Sequence, residues 1–456
     1  MTLAASSQTG YLLRGTILDG SLSGPVPDGA VVVDGETIAW VGPAASLPEQ
    51  WRAADLTLIE RPGATILPGL VDAHVHISFG EARSEEELAL YTPVEYRSLR
   101  AVWNARKVLR AGVTSAFDAA TTFNVGAAVR DAIEAGMFEG PRFSVAGRQI
   151  TSHQGLEDAF PSWNPFPPGQ AGVLVKSRDE MIEQVRLQVK DGVDTIKVSG
   201  SNDSAVSDEP LDGGAFTEEE FRLIADEAHR LNRTVTVHAR SKESTLWCAR
   251  SGYDWIMHAS YIDDEGIEAC LKNGVSLCPT LTLLVNIVDS HVGSAGASII
   301  DVFKREVDAA AENLSRAHRA GVPLMCGSES GWSLVPYGQW HAKELQIMVD
   351  LLGLTPLEAI HAATEAASRA LPRLTGKIGK LEAGRFADIL VVDGDPLADI
   401  TLLQKPSRIA HVMKGGRMVD TTTPIEPRRV WSWEKHKTYL PGKFMYDEAS
   451  GAGKVV

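Results

Sequence analysis

Between about residues 64 and 370 the chain alternates short apolar runs with amphipathic helical patterns, and few folds accept that alternation. The runs are TILPGLVDAHVHI, VTSAFDA, FSVAGR, TIKVSG, TVTVHA, WIMHAS, SLCPT and PLMCGSES, eight in all. Between them lie helical stretches such as YRSLRAVWNARKVLRAG, EEEFRLIADEAHRLN and VFKREVDAAAENLSRAHRAG. Continuous apolar strands separated by helices imply a parallel sheet covered on both faces. Eight such strands are the number that closes a (β/α)8 TIM barrel, so the expected class is α/β.

The flanks read differently. YLLRGTILDG, GAVVVDGETIAWVG and LTLIE near the start share a texture of short strands and glycine turns with GKIGKLEAGRFADILVVDGDP and RIAHVMKGGRMVD near the end. One small β-sandwich built from both chain ends is the economical reading. The expected division is 1–63 and 373–425 for that sandwich, 64–372 for the barrel, and 426–456 as a C-terminal extension with its last residues disordered. Three long loops, ITSHQGLEDAFPSWNPFPPGQAG, GSNDSAVSDEPLDGGAF and SGWSLVPYGQWH, leave the C-terminal ends of strands three, four and eight. A barrel builds its chemistry on that face.

Composition removes several classes. A net charge of −15 argues against nucleic acid, which calls for a concentrated basic surface. No apolar run reaches the ~18–20 residues that cross a bilayer. The start, MTLAASSQTGYLLRG, lacks a basic stretch followed by an apolar core, so a cytoplasmic address is expected. The four cysteines form no C-x-x-C pair, so neither a zinc knuckle nor a disulfide framework is expected.

Candidate chemistry sits at the strand ends. His74 and His76 are two apart at the end of the first strand, so both imidazoles project from one face. His238 ends strand five and His258 ends strand six. Lys197 lies within the apolar strand Thr195-Ile196-Lys197-Val198, where an amine without a partner is costly. Glu329 follows strand eight and offers a carboxylate. Imidazoles and a carboxylate are ordinary ligands for a divalent metal. Each residue taken alone also has a bland reading: a core histidine, a lysine reaching the rim, a helix-start acid.

The motifs PGLVDAHVH, GPRFSVAGR, DTIKVSG, VHAR, IMHAS, PTLTL, ELQIMVDLLGLTPLEAIHAAT and GKLEAGRFADILVVDGDPLADI resemble the amidohydrolase superfamily. Within it they resemble the branch of imidazolonepropionase-like enzymes and metal-dependent prolidases of the Xaa-Pro dipeptidase type. That resemblance implies two divalent metal ions, Zn2+ by default with Co2+ or Mn2+ as substitutes. It implies a Lys197 carboxylated by CO2 and bridging them, with His74, His76 and Glu329 on one metal and His238 and His258 on the other. A metal-activated water would attack the carbonyl while Glu329 moves the proton to the leaving nitrogen. Relatives usually carry aspartate where this chain has Glu329, whose reach is longer by ~1.5 Å; a single-metal site therefore stays open.

The resemblance also places His153 near the substrate. Arg240 could bind a substrate carboxylate or lie in solvent at a helix start. Trp332 and Tyr337, with Trp163, Phe166 and Trp340, suggest an apolar or aromatic substrate group, or simply pack their own loops. The implied activity is hydrolysis of a linear amide, carbamate or urea, with a dipeptide or N-acyl amino acid as the type substrate. A cyclic-amide hydrolase and a non-catalytic scaffold with a decayed site are the alternatives. Homo-oligomers are expected by analogy.

Overall fold

The helices start where a side chain can cap them. The computed structural model describes residues 10–153, 155–202, 214–290, 297–429, 444–447 and 452–455. Thr217 opens helix Glu218–Arg230 with a capping box, its hydroxyl accepting from Glu220 N while the Glu220 carboxylate answers back. Phe221, Ile224, Ala225 and Ala228 follow at helical period, and all are buried. The turn beyond ends in Asn232, left-handed at φ 55°, a conformation asparagine tolerates. The other two helical patterns become Val94–Arg110 and Ala297–Ala320.

Seven of the eight apolar runs are parallel strands; the eighth, around residues 324–330, makes only isolated bridges instead of the expected strand. Leu70–Val75, Val113–Asp118 and Arg142–Val145 form a three-stranded sheet. Ser276–Cys278, Trp255–His258, Thr234–Ala239, Thr195–Ser199, Gln149–Thr151 and Gly172–Leu174 form, in that order, a six-stranded one. Their residues are buried almost without exception, which is why the runs carry no alternation. Single bridges connect Ala146 to Thr195, Leu277 to Leu324 and Val75 to Ser330. The arrangement is consistent with an α/β, TIM-barrel-like fold.

Both chain ends meet in one further sheet, as the sequence suggests. Its order is Arg417–Met418, Ile409–Lys414, Ile389–Asp393, Thr57–Pro68, Tyr11–Ile17, Val26–Asp34, Thr37–Pro43. A sandwich was the expectation; the pairing is that of one continuous seven-stranded sheet. The 384–387 segment bonds the outer strand at Glu36 and Ile38, and Leu13, Val31, Val33, Ile66, Ile389 and Val391 share one core. Thr57–Pro68 then passes through Gly69 directly into Leu70–Val75. A Cβ on Gly69 would lie 2.1 Å from Thr114 Oγ1, so only glycine lets the two layers approach here. Arg142 fastens the layers with two bonds to Asp388, at 2.8 and 3.2 Å.

Two expectations about loops change. The first long loop is bounded by Gln149–Thr151 and Gly172–Leu174, which pair in parallel and extend the sheet. Within the expected extension Phe444–Asp447 pairs antiparallel with Ala452–Val455, while 430–443, 448–451 and 456 lie outside the described residues. Phe444 anchors it by stacking on Trp340. Much of the loop after strand four, residues 203–213, lies outside the described residues. All four cysteines are free and buried. Among the described residues no helix is long and apolar enough to cross a membrane.

Candidate active site

Six side chains from distant parts of the chain occupy one buried site. His74, His76, His238, His258, Lys197 and Glu329 are each no more than 7% exposed. Parallel register sets Ser199 beside His238 and Ala239 beside His258, which brings the last two imidazoles to 4.5 Å between ring centroids. His74 and His258 follow at 5.3 Å. Glu329 N bonds His74 O at 2.8 Å, so the eighth apolar run delivers its carboxylate to the end of the first. His74, His76 and Glu329 place ligand atoms within 4.8 Å of one another, a group able to hold a metal ion.

The hydrogen-bond partners fix the tautomers, and the result is a shortage of protons. His76 Nδ1 faces the Ala120 carbonyl at 3.3 Å, an acceptor only, so Nδ1 carries the hydrogen and Nε2 the lone pair. Thr280 Oγ1 donates to Cys278 O and therefore accepts from His74 Nδ1 at 3.1 Å. His74 Nε2 is then also a lone pair. These two nitrogens lie 3.2 Å apart, and Glu329 Oε1 lies 3.0 Å from one and 3.5 Å from the other. Three acceptors face each other with no donor between them. Both His258 ring nitrogens and Glu329 Oε2 are buried without a hydrogen-bond partner, His258 Nε2 and Glu329 Oε2 lying 3.9 Å apart. A cation is what such a set lacks.

Electrostatics favour the neutral form of three of these imidazoles. Burial, assisted by Lys197 and Arg240, pushes His74, His238 and His258 well below the usual histidine value. Burial likewise lowers the Lys197 ammonium to about 7, against the opposing pull of Glu329. Its Nζ touches Met257 Sδ at 2.5 Å. The backbone is strained here too. His258, Ala259, Thr280 and Glu329 hold φ of 71°, 54°, 55° and 64°, each at a cost of ~1–3 kcal/mol. Three successive turns after the Trp255–His258, Ser276–Cys278 and Leu324 segments thus hold left-handed backbone.

Of the remaining expected residues, Arg240, Tyr337 and Trp332 border this set and His153 lies at the surface. Arg240 is 2% exposed, and its guanidinium meets Glu306 at 2.5 Å, so its own chain supplies the carboxylate it was expected to take from a substrate. Tyr337 is buried, with its hydroxyl bonded to His76 O and Gly80 N. His153 is exposed and pairs with Asp158 at 3.2 Å. Trp332 is half-buried and meets Phe79 edge-on, while Phe79 stacks on His76 at 4.1 Å. Sequence reading missed the groups that orient the ligands: Thr280, the Ala120 carbonyl, Asp72 and His341. An aspartate two before His74 was the available signal for one of them.

Glu157 is another buried acid, bonded by Gln149 Nε2 at 2.6 Å and Gln170 Nε2 at 3.1 Å. Burial raises it to about 7, opposed first by Arg148. The folded state therefore holds a proton that the unfolded chain releases near 4.5, the usual value of a glutamate. Stability contributed by this site is present below that value and is lost as pH rises toward 7. Glu157→Gln removes the effect, because the Gln149 and Gln170 amides each have an unpartnered oxygen and can turn to accept. The variant's melting temperature, relative to wild type, is expected to rise between pH 5 and pH 8. A constant difference would assign Glu157 an ordinary pKa.

A sequence model of the amidohydrolase family matches residues 65–419, and one of the imidazolonepropionase-like composite domain of bacteria matches residues 29–54. The ochratoxinase of Aspergillus niger is 29% identical over 416 residues, 86% of this chain and 83% of that protein. Imidazolonepropionase of Paracoccus denitrificans is 26% identical over 400 residues, 83% of this chain and 91% of that one. The crystal structure of the ochratoxinase superposes with a TM-score of 0.80 at 26% identity, covering 90% of this chain and 95% of that one. A Xaa-Pro dipeptidase with bound methionine gives 0.78 at 25%, covering 90% and 99%. These likenesses put the chain among hydrolases that act on carbon–nitrogen bonds. It belongs to the amidohydrolase family.

Proposed function

We propose that the chain is a metal-dependent hydrolase of open-chain amide bonds, its three-stranded and six-stranded parallel sheets closed into one barrel through the Ala146, Leu277 and Val75 bridges. The proposed division is 64–372 for that barrel, 1–63 and 373–425 for the small β domain and 426–456 for an extension, with strand Thr57–Pro68 running across the first boundary. The observation that carries the reading is the convergence of His74 Nε2, His76 Nε2 and Glu329 Oε1 as three acceptors without a proton.

His74, His76 and Glu329 would hold one divalent ion and His238 and His258 a second, with Lys197 between them. A bound Zn2+, or Co2+ or Mn2+, would supply a Lewis acid for the carbonyl and an acidified water. The depressed Lys197 leaves a share of neutral amine at pH 7, the form that adds CO2 to give a carbamate and a proton. Glu329, whose Oε2 has no hydrogen-bond partner, accepts the proton of water and passes it to the departing nitrogen. Trp332 and Phe79, beside His76, offer an apolar wall for one end of the substrate.

An open-chain substrate is supported by the likeness to a Xaa-Pro dipeptidase and to ochratoxinase, an amide hydrolase. N-acyl amino acids and dipeptides are the substrates to test first. The imidazolonepropionase relatives favour a ring amide as the second reading. Turnover of the N-acyl panel with ring amides left untouched separates the two. A decayed scaffold conflicts with a complete ligand set. Self-association belongs to the same reading, by analogy.

Dialysis against a strong chelator is expected to abolish turnover, and stoichiometric Zn2+ to restore it. Undiminished activity in protein shown by elemental analysis to be metal-free would sink the reading.

A further inference from the structure

Tyr337 and His341 lie in the turns that lead into helix Lys343–Asp350, Glu344 lies in its first turn, and all three are buried. Each reaches a different part of the ligand framework. Tyr337 Oη donates to His76 O at 2.6 Å and accepts from Gly80 N at 3.0 Å. His341 Nε2 accepts from Gly338 N, so its Nδ1 carries the hydrogen and donates to Asp72 Oδ2 at 2.8 Å. The other Asp72 oxygen accepts from His74 N at 3.1 Å and Ser328 N at 3.0 Å. One carboxylate thereby ties the backbone of His74 to the residue preceding Glu329. Glu344 accepts from Leu281 N, Thr282 N and Thr282 Oγ1 at 2.9, 2.9 and 2.6 Å. That fixes the turn holding Thr280, the partner of His74 Nδ1.

We propose that residues 337–344 are the positioning segment of the site, holding His74, His76 and Glu329 in register from behind. The proposal rests on the metal-dependent reading above. Ligands are useful only when locked to within about half an ångström, and the groups that lock them govern metal affinity. Three turns in left-handed conformations would relax without such restraint. The segment is itself anchored: Trp340 stacks on Phe444 at 5.1 Å and donates from Nε1 to its carbonyl at 2.7 Å.

A segment that merely fills space would, when altered, lower the melting temperature equally with and without metal. A positioning segment alters the gain on loading, because tighter binding to the folded state is what raises it. The test titrates Zn2+ into metal-free protein against a chromophoric chelator and measures melting with and without the ion. Tyr337→Phe and His341→Leu are expected to bind Zn2+ ~10–100-fold more weakly, to gain less from loading, and to lose kcat with KM little changed. His341→Asn keeps an N–H donor where Nδ1 stands and is expected to restore most of the affinity.

Variants that load Zn2+ as tightly as wild type, with the same melting gain, overturn the proposal alone. A wild type that takes up no divalent metal overturns the functional reading and the proposal together. Should His341→Leu fail to fold, Tyr337→Phe, which loses a single oxygen, still decides.

Discussion

Lys197→Ala is expected to empty the site of most of its metal and to lower turnover by about a thousandfold, the effect of losing several kcal/mol of charge stabilisation. Its amine is 1% exposed on strand Thr195–Ser199, and its charge bears on His74, His238 and His258. As a cation it opposes metal binding; as a carbamate it would favour it. Alanine supplies neither charge, and leaves a gap that a small carboxylate can enter. Added acetate or propionate is therefore expected to recover part of the activity. Metal per chain and kcat, measured with and without the added acid, check the prediction. Full activity in the variant would exclude any bridging role for Lys197.

Glu329→Gln is expected to separate binding from catalysis. The amide keeps the shape of the side chain and one oxygen facing His76 Nε2, now at 3.0 Å from the carboxylate, so metal content should remain near wild type. It cannot take a proton from water, so kcat should fall ~10²–10⁴-fold, the range for loss of a general base. Metal analysis beside single-turnover rates reads both quantities. Equal loss of metal and rate would make Glu329 a ligand only, and an unchanged rate would move the base elsewhere.

The strands were legible because a sheet covered on both faces needs continuous apolar sequence, and a histidine ending such a run stands out. His74, His76, His238 and His258 could therefore be picked out, together with Lys197 in an otherwise apolar run. What sequence could not supply were partners chosen by the fold alone. Glu306 lies on the long helix Ala297–Ala320 and reads as one more charge there, yet it is fully buried against Arg240. The Tyr337 hydroxyl finds a carbonyl 261 positions away, so its aromatic ring suggested a substrate surface. His153 was suggested by resemblance; among the described residues its ring pairs with Asp158, a neighbouring aspartate in the same loop. The terminal hairpin was hidden because Phe444 takes its packing from Trp340, not from a local period.

The sheet that unites the two chain ends also imposes a schedule on biosynthesis. Thr57–Pro68 finds its antiparallel neighbour in Ile389–Asp393, and Arg61 meets Asp393, 332 positions later. On the ribosome, at ~5–20 residues per second, that edge waits roughly 15–65 s for its mate. An open edge of this kind is a template for another nascent chain. Yield of native enzyme should therefore respond to slower growth and to chaperone supply far more than to ligand or buffer.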